Sequence, residues 1–225
     1  MSPLESLTVA NLLFVGGHLV MSHPLRAPMV AMLGERGFLG FYSLVSLALL
    51  AWVGHVFPQA RSDWMAWPSG ILLWIVASVL TVVALALLLG SLRGNPALPQ
   101  TDPLVAASAR AEGVYAVTRH PMMWAFALWA LSHILVWPSP RTLVTAGAMG
   151  VLALVGAYLQ DGKKRGLMGH AWLAWEAKTS YWPRLSGFAR IGIGLWLAAI
   201  VVWLGATWLH VWLAGIPAGA WRWVG

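Results

Sequence analysis

Apolar residues run through this chain in six long stretches, about Leu4–Met21, Phe38–Phe57, Ile71–Leu92, Met122–Trp137, Leu143–Leu159 and Ile191–Leu213. Each approaches the roughly 20 residues that carry a helix across the hydrocarbon core of a bilayer. A backbone in hydrocarbon must close its own hydrogen bonds, so each run is predicted to be a helix. The breakers fall between the runs: Ser22-His23-Pro24, Trp67-Pro68-Ser69-Gly70 and Pro138-Ser139-Pro140. The last of these is so short that the fourth and fifth runs must form a tight antiparallel hairpin. The pattern predicts an all-α integral membrane bundle of six transmembrane helices.

Composition supports that reading. The chain has 225 residues, 60% hydrophobic and 9% charged, whereas a soluble domain carries about 25% charged residues. The net charge of +7 is not gathered into a patch, so nucleic acid is not an expected partner; the bilayer is. Lys and Arg instead mark one set of loops. The odd-numbered loops hold Arg26, Arg36, Arg93, Arg110, Arg119, Lys163, Lys164, Arg165, Lys178, Arg184 and Arg190, and the other side holds only Arg61, Arg141 and Arg222. The positive-inside rule makes the odd loops cytoplasmic and puts both termini across the membrane from them. Two cytoplasmic stretches, Arg93–Arg119 and the Trp-containing Asp161–Arg190, are long enough to lie on the membrane surface. The N-terminus lacks a basic leader and a cleavage site, so the first run is expected to be a retained span.

With no cysteine in the chain, thiolate metal sites, disulfides and a cysteine nucleophile are excluded. P-loop, HExxH and GxSxG motifs are absent, and the seven carboxylates lie outside the interiors of the runs, which disfavours a proton pump built on buried acids. Histidines are the residues to weigh, because an imidazole inside a bundle is costly without a partner and can ligate metal. His18 follows Gly16-Gly17, a pair that would admit a neighbouring helix or a flat ligand. His120 opens the fourth helix in Arg119-His120-Pro121, a helix start beside an arginine. His133 lies thirteen residues on, about 20 Å of helical rise away. His23 and His170 fall in loops, and His55 and His210 near the outer ends of spans, where interfacial polarity explains them.

His18 with Arg26, Leu33-Gly34-Glu35-Arg36-Gly37-Phe38, Tyr42-Ser43-Leu44-Val45-Ser46-Leu47, the segment Tyr115 to His133 with Arg119-His120-Pro121, and the tail from Asp161-Gly162 through Gly169 to Thr179-Ser180 and Pro183 together resemble the NnrU family. That family is related to the 15-cis-zeta-carotene isomerases and more remotely to isoprenylcysteine carboxyl methyltransferases. The resemblance implies one NnrU-type transmembrane domain over residues 1–225, in a bacterial inner membrane with periplasmic termini. It implies haem b, its iron held by His18 and His133, with His120 and Arg119 as supporting or propionate-side residues. The implied activity is redox-dependent cis/trans isomerisation of a carotenoid or another apolar polyene at His18 and His133. A non-enzymatic haem or redox role in nitrite and nitric oxide metabolism is the alternative. The other is S-adenosylmethionine-dependent methyl transfer, disfavoured because Asp161-Gly162-Lys163-Lys164-Arg165 replaces the paired Glu of the methyltransferases. By the run boundaries His18 lies toward the cytoplasmic end of its span and His133 toward the outer end, about 10 Å apart in depth, and His120 matches His18 better in depth.

Overall fold

The computed structural model describes residues 1–99 and 101–224. Every apolar run forms a helix: α1 (Pro3–Ser22), α2 (Arg26–Val56), α3 (Ile71–Ser91), α5 (Pro121–Val136), α6 (Pro140–Met168) and α8 (Ile193–Ala214). Three short helices join them, α4 (Pro103–Ser108), α7 (His170–Lys178) and α9 (Trp221–Val224), with 3-10 turns at Gly113–Ala116 and Leu185–Arg190. Five of the long helices have the length and apolar character to cross a membrane, and α5 is a shorter apolar helix beside them. This is a multi-pass helical membrane protein.

Local sequence sets the helix ends. Ser2 and Glu5 form a reciprocal capping box on α1, closing two of the backbone donors that a helix start leaves open. Pro121 and Pro140 occupy first-turn positions of α5 and α6, where a missing N–H costs little. Gly215 ends α8 in the left-handed conformation, which a side chain would disfavour.

Two boundaries differ from the sequence reading. Helical structure in α2 begins at Arg26 rather than near Phe38: the span is two helical segments, one on either side of a non-helical break at Gly34 (φ 70°, ψ 167°). Helix α6 runs on past Leu159 to Met168. Its charged last turns are held by protein contacts, so Asp161–Met168 extends the helix beyond the apolar run. Within the former tail, α7 turns Trp172 and Trp175 fully inward, so its tryptophans are core and not membrane anchors. His170 is the first residue of α7, not a loop residue.

The long helices pack as a row, α2 on α1, α1 on α6, α6 on α5, α5 on α3 and α3 on α8. Their outer faces carry exposed Leu12, Leu44, Ile71, Val201 and Trp212, the surface lipid would cover. At one end Ser2, Gln59, Arg61 and Pro140 border a common cavity, and Arg222 stacks on Trp74 at the start of α3, so both termini share that end. The opposite, basic end holds the larger buried cluster, in which Leu87, Val117, Trp172 and Trp175 pack together.

Candidate functional site

At the basic end the chain turns into α5 through Thr118, Arg119 and His120, and the segment after α7 is laid against that turn. Arg119 N–H donates to Ser180 O at 2.8 Å, and Arg184 N–H to Val117 O at 2.8 Å. The Thr118 hydroxyl donates toward Tyr181 O at 2.8 Å and accepts from His120 N–H at 3.2 Å. Trp124 Nε1–H donates to Tyr181 O at 2.9 Å. These bonds hold the side chains of Arg119 and His120 against α6.

There both meet Asp161. The Arg119 guanidinium donates to its carboxylate through Nε (3.0 and 2.9 Å) and Nη2 (2.5 Å), and His120 Nε2–H donates to Oδ1 at 2.8 Å. Asp161 is 3% exposed and His120 2%. A fork of this kind keeps a buried carboxylate charged. Glu176 of α7 lies 3.5 Å from Arg119 and takes a two-point bond from Arg165 at 2.8 Å. Two cations and two anions thus tie the start of α5 to α6 and α7. Tyr181, whose ring lies 5.9 Å from the Arg119 guanidinium, has its hydroxyl pushed up in pKa by burial and then by the Asp161 charge.

The second nitrogen of His120 is different. Nδ1 is buried and has no hydrogen-bond partner. His120 lines a cavity of about 140 Å³ bordered by Asn95, Leu98, Met122, Met123 and Gln160. The 95–99 segment beside it is pinned by α6: Gln160 Nε2–H donates to Ala97 O at 2.7 Å and Lys164 Nζ to Leu98 O at 2.8 Å.

His18 and His133 stand elsewhere and apart. His18 donates from Nδ1 to Phe14 O at 2.8 Å and packs against Phe14 and Tyr42, with ring centroids at 4.4 and 5.2 Å. It lies fifteen residues down α1 from Pro3, about 22 Å along the axis. His133 lies in the last turn of α5, just before Pro138 O accepts from Ala66 N–H, at the end where the termini sit. The two therefore occupy opposite ends of the bundle, so the structure does not bring them to one ligand. What stands beside His133 is His210 of α8, with ring centroids 6.2 Å apart and planes tilted by 39°. His133 Nδ1–H donates to Trp129 O at 2.8 Å and His210 Nδ1–H to Ala206 O at 2.7 Å. Both rings are thereby held in the tautomer that leaves Nε2 with its lone pair.

Gly16 and Gly17 are not a close-approach pair. A side chain at Gly16 would meet nothing within 4 Å, and one at Gly17 would make ordinary contact with Leu49 at 3.5 Å. In the sequence Tyr181 carries no marker, His210 reads as interfacial polarity, Arg165 as a topology charge, Glu176 as one of seven scattered carboxylates, and Asp161 as the head of the tail. Its scarcity as a carboxylate beside a long apolar run was the available signal.

A family model described as NnrU protein matches residues 6–218. No curated protein and no solved structure matches the chain.

Proposed function

This chain belongs to the NnrU family, and from that premise we propose that it is a haem-b protein of the bacterial inner membrane whose iron is held between His133 and His210. The observation that carries the reading is the neighbouring pair of imidazoles, ring centroids 6.2 Å apart, each with Nδ1–H tied to its own helix, which leaves Nε2 as the nitrogen available to a metal. His133 and His210 would hold the iron through their Nε2 atoms. Two imidazoles with available Nε2 atoms are a donor type that suits haem iron, and in this reading His210 takes the place of His18 as the partner of His133.

Helices α5 and α8 both pack on α3, and the two histidines come together near the outer surface of the bundle, where Trp129, packed on His133, is exposed. Bound there, haem iron would supply Lewis-acid or one-electron chemistry. The protein's part is to fix the two rings through Trp129 O and Ala206 O and to give a bilayer-dissolved molecule lateral access. An apolar polyene undergoing cis/trans isomerisation is the substrate class that this setting suits. A haem or redox role in nitrite and nitric oxide metabolism needs the same pair but no substrate path. Methyl transfer is less well supported, since Asp161-Gly162-Lys163-Lys164-Arg165 stands where the methyltransferases carry paired Glu.

The test is pyridine extraction of protein purified after expression with added haem precursor. A b-type spectrum with about one haem per chain is expected, and haem-free protein under those conditions would overturn the reading. Isomerisation of a cis-polyene by the loaded protein, gained on reduction, would separate the enzyme from the accessory role.

A further inference from the structure

A second centre, at the other end of the bundle, asks for a ligand on independent grounds. Asp161 is an acceptor, so His120 Nε2 must be the donor of their 2.8 Å bond, and in the neutral ring Nδ1 then carries the lone pair. That atom is buried, has no partner and belongs to a residue lining the cavity of about 140 Å³. An unpaired buried acceptor is costly, and a ligand at Nδ1 would recover that cost.

The chemistry of the cavity narrows the ligand. Met122 and Met123, in the first turn of α5, border the same space. Thioethers bond weakly to water but are good ligands for soft monovalent copper. No carboxylate lines the cavity, and among the described residues no group of three or more His, Cys, Asp or Glu is placed to hold a metal. The buried Lys164 ammonium at Leu98 O and the positive end of α5 oppose any cation, and weigh about twice as heavily against a dication as against a monovalent ion. The Asp161–His120 bond is the carboxylate–imidazole arrangement that orients a metal-bound histidine.

We propose that His120 Nδ1 and the thioethers of Met122 and Met123 form a site for Cu⁺. It uses neither His133 nor His210, the pair proposed to hold haem iron.

The test is competition for Cu⁺ between the purified protein, under reducing conditions in detergent, and a chromophoric Cu⁺ chelator. The wild-type chain is expected to withhold one equivalent, with sulfur and nitrogen neighbours in the copper X-ray absorption spectrum. H120Q and the volume-conserving M122L/M123L, which leaves the Asp161 network intact, are each expected to weaken binding at least tenfold. The H18A/H133A/H210A variant is expected to keep it. Wild-type protein that yields all its copper to the chelator, or M122L/M123L that binds as tightly as wild type, would overturn the proposal.

Discussion

His120 Nε2 and Asp161 Oδ1, 41 residues apart in the chain, lie 2.8 Å from one another in a buried environment. The bond joins the start of α5 to the charged extension of α6. Arg119 shares the same carboxylate, so Asp161 is the residue on which the basic end depends.

Asp161→Asn is expected to be strongly destabilising. It strips the compensating charge from Arg119, leaving only Glu176 at 3.5 Å, and breaking a buried pair from one side costs about 3–5 kcal/mol. Thermal unfolding in detergent should show a large fall in Tm. Arg165→Ala should cost less, because that side chain is half exposed and such pairs contribute about 0–1 kcal/mol.

Two glycines should respond in opposite ways. A methyl group at Gly187 would collide with the backbone of Ala116 and meet Val117 Cα at 2.7 Å. Neither neighbour is the end of a flexible side chain, so Gly187→Ala should lower Tm and the yield of folded protein, with overpacking costing about 1–3 kcal/mol. Gly16→Ala enters open space and should leave Tm unchanged or slightly raised, since alanine favours helix by up to about 1 kcal/mol.

Alkaline pH probes Tyr115. Burial pushes its hydroxyl pKa far above the usual value, and the hydroxyl donates to Arg93 O at 3.1 Å. The unfolded chain releases this proton near pH 10, whereas the folded chain keeps it. The stability due to this difference is therefore complete below about pH 10 and is lost as pH rises above it. Tyr115→Phe should be slightly less stable at pH 8 and should lose less stability than wild type between pH 9 and 11, as read by unfolding midpoints.

Sidedness is open to direct labelling because the chain has no cysteine. Ser62 and Ser186 are exposed at opposite ends. With the basic loops cytoplasmic, Ser62→Cys in intact cells should react with an impermeant maleimide and Ser186→Cys only after lysis. The reverse pattern would invert the topology.

The apolar runs made the six long helices legible, because lipid leaves a 20-residue apolar segment no other backbone solution. The kink at Gly34 and the reach of α6 were not, since hydrophobicity ends at the bilayer edge while a helix held by protein contacts does not. Arg119 and His120 stood out as a helix start, but the partner that gives them a role lies on another helix. His133 was legible as a histidine within the fourth run, toward its outer end. That its neighbour is His210 rather than His18 depends on α5 and α8 both docking on α3, a tertiary fact with no local trace.

The most direct measurement is the dithionite-reduced minus oxidised absorption spectrum of the haem-loaded protein, taken for wild type, H133A, H210A and H18A. Loss or a spin-state shift of the b-type bands in both H133A and H210A, with H18A like wild type, is the predicted result. Bands that vanish in H18A and survive unchanged in H210A would contradict the assignment of iron to the α5–α8 pair.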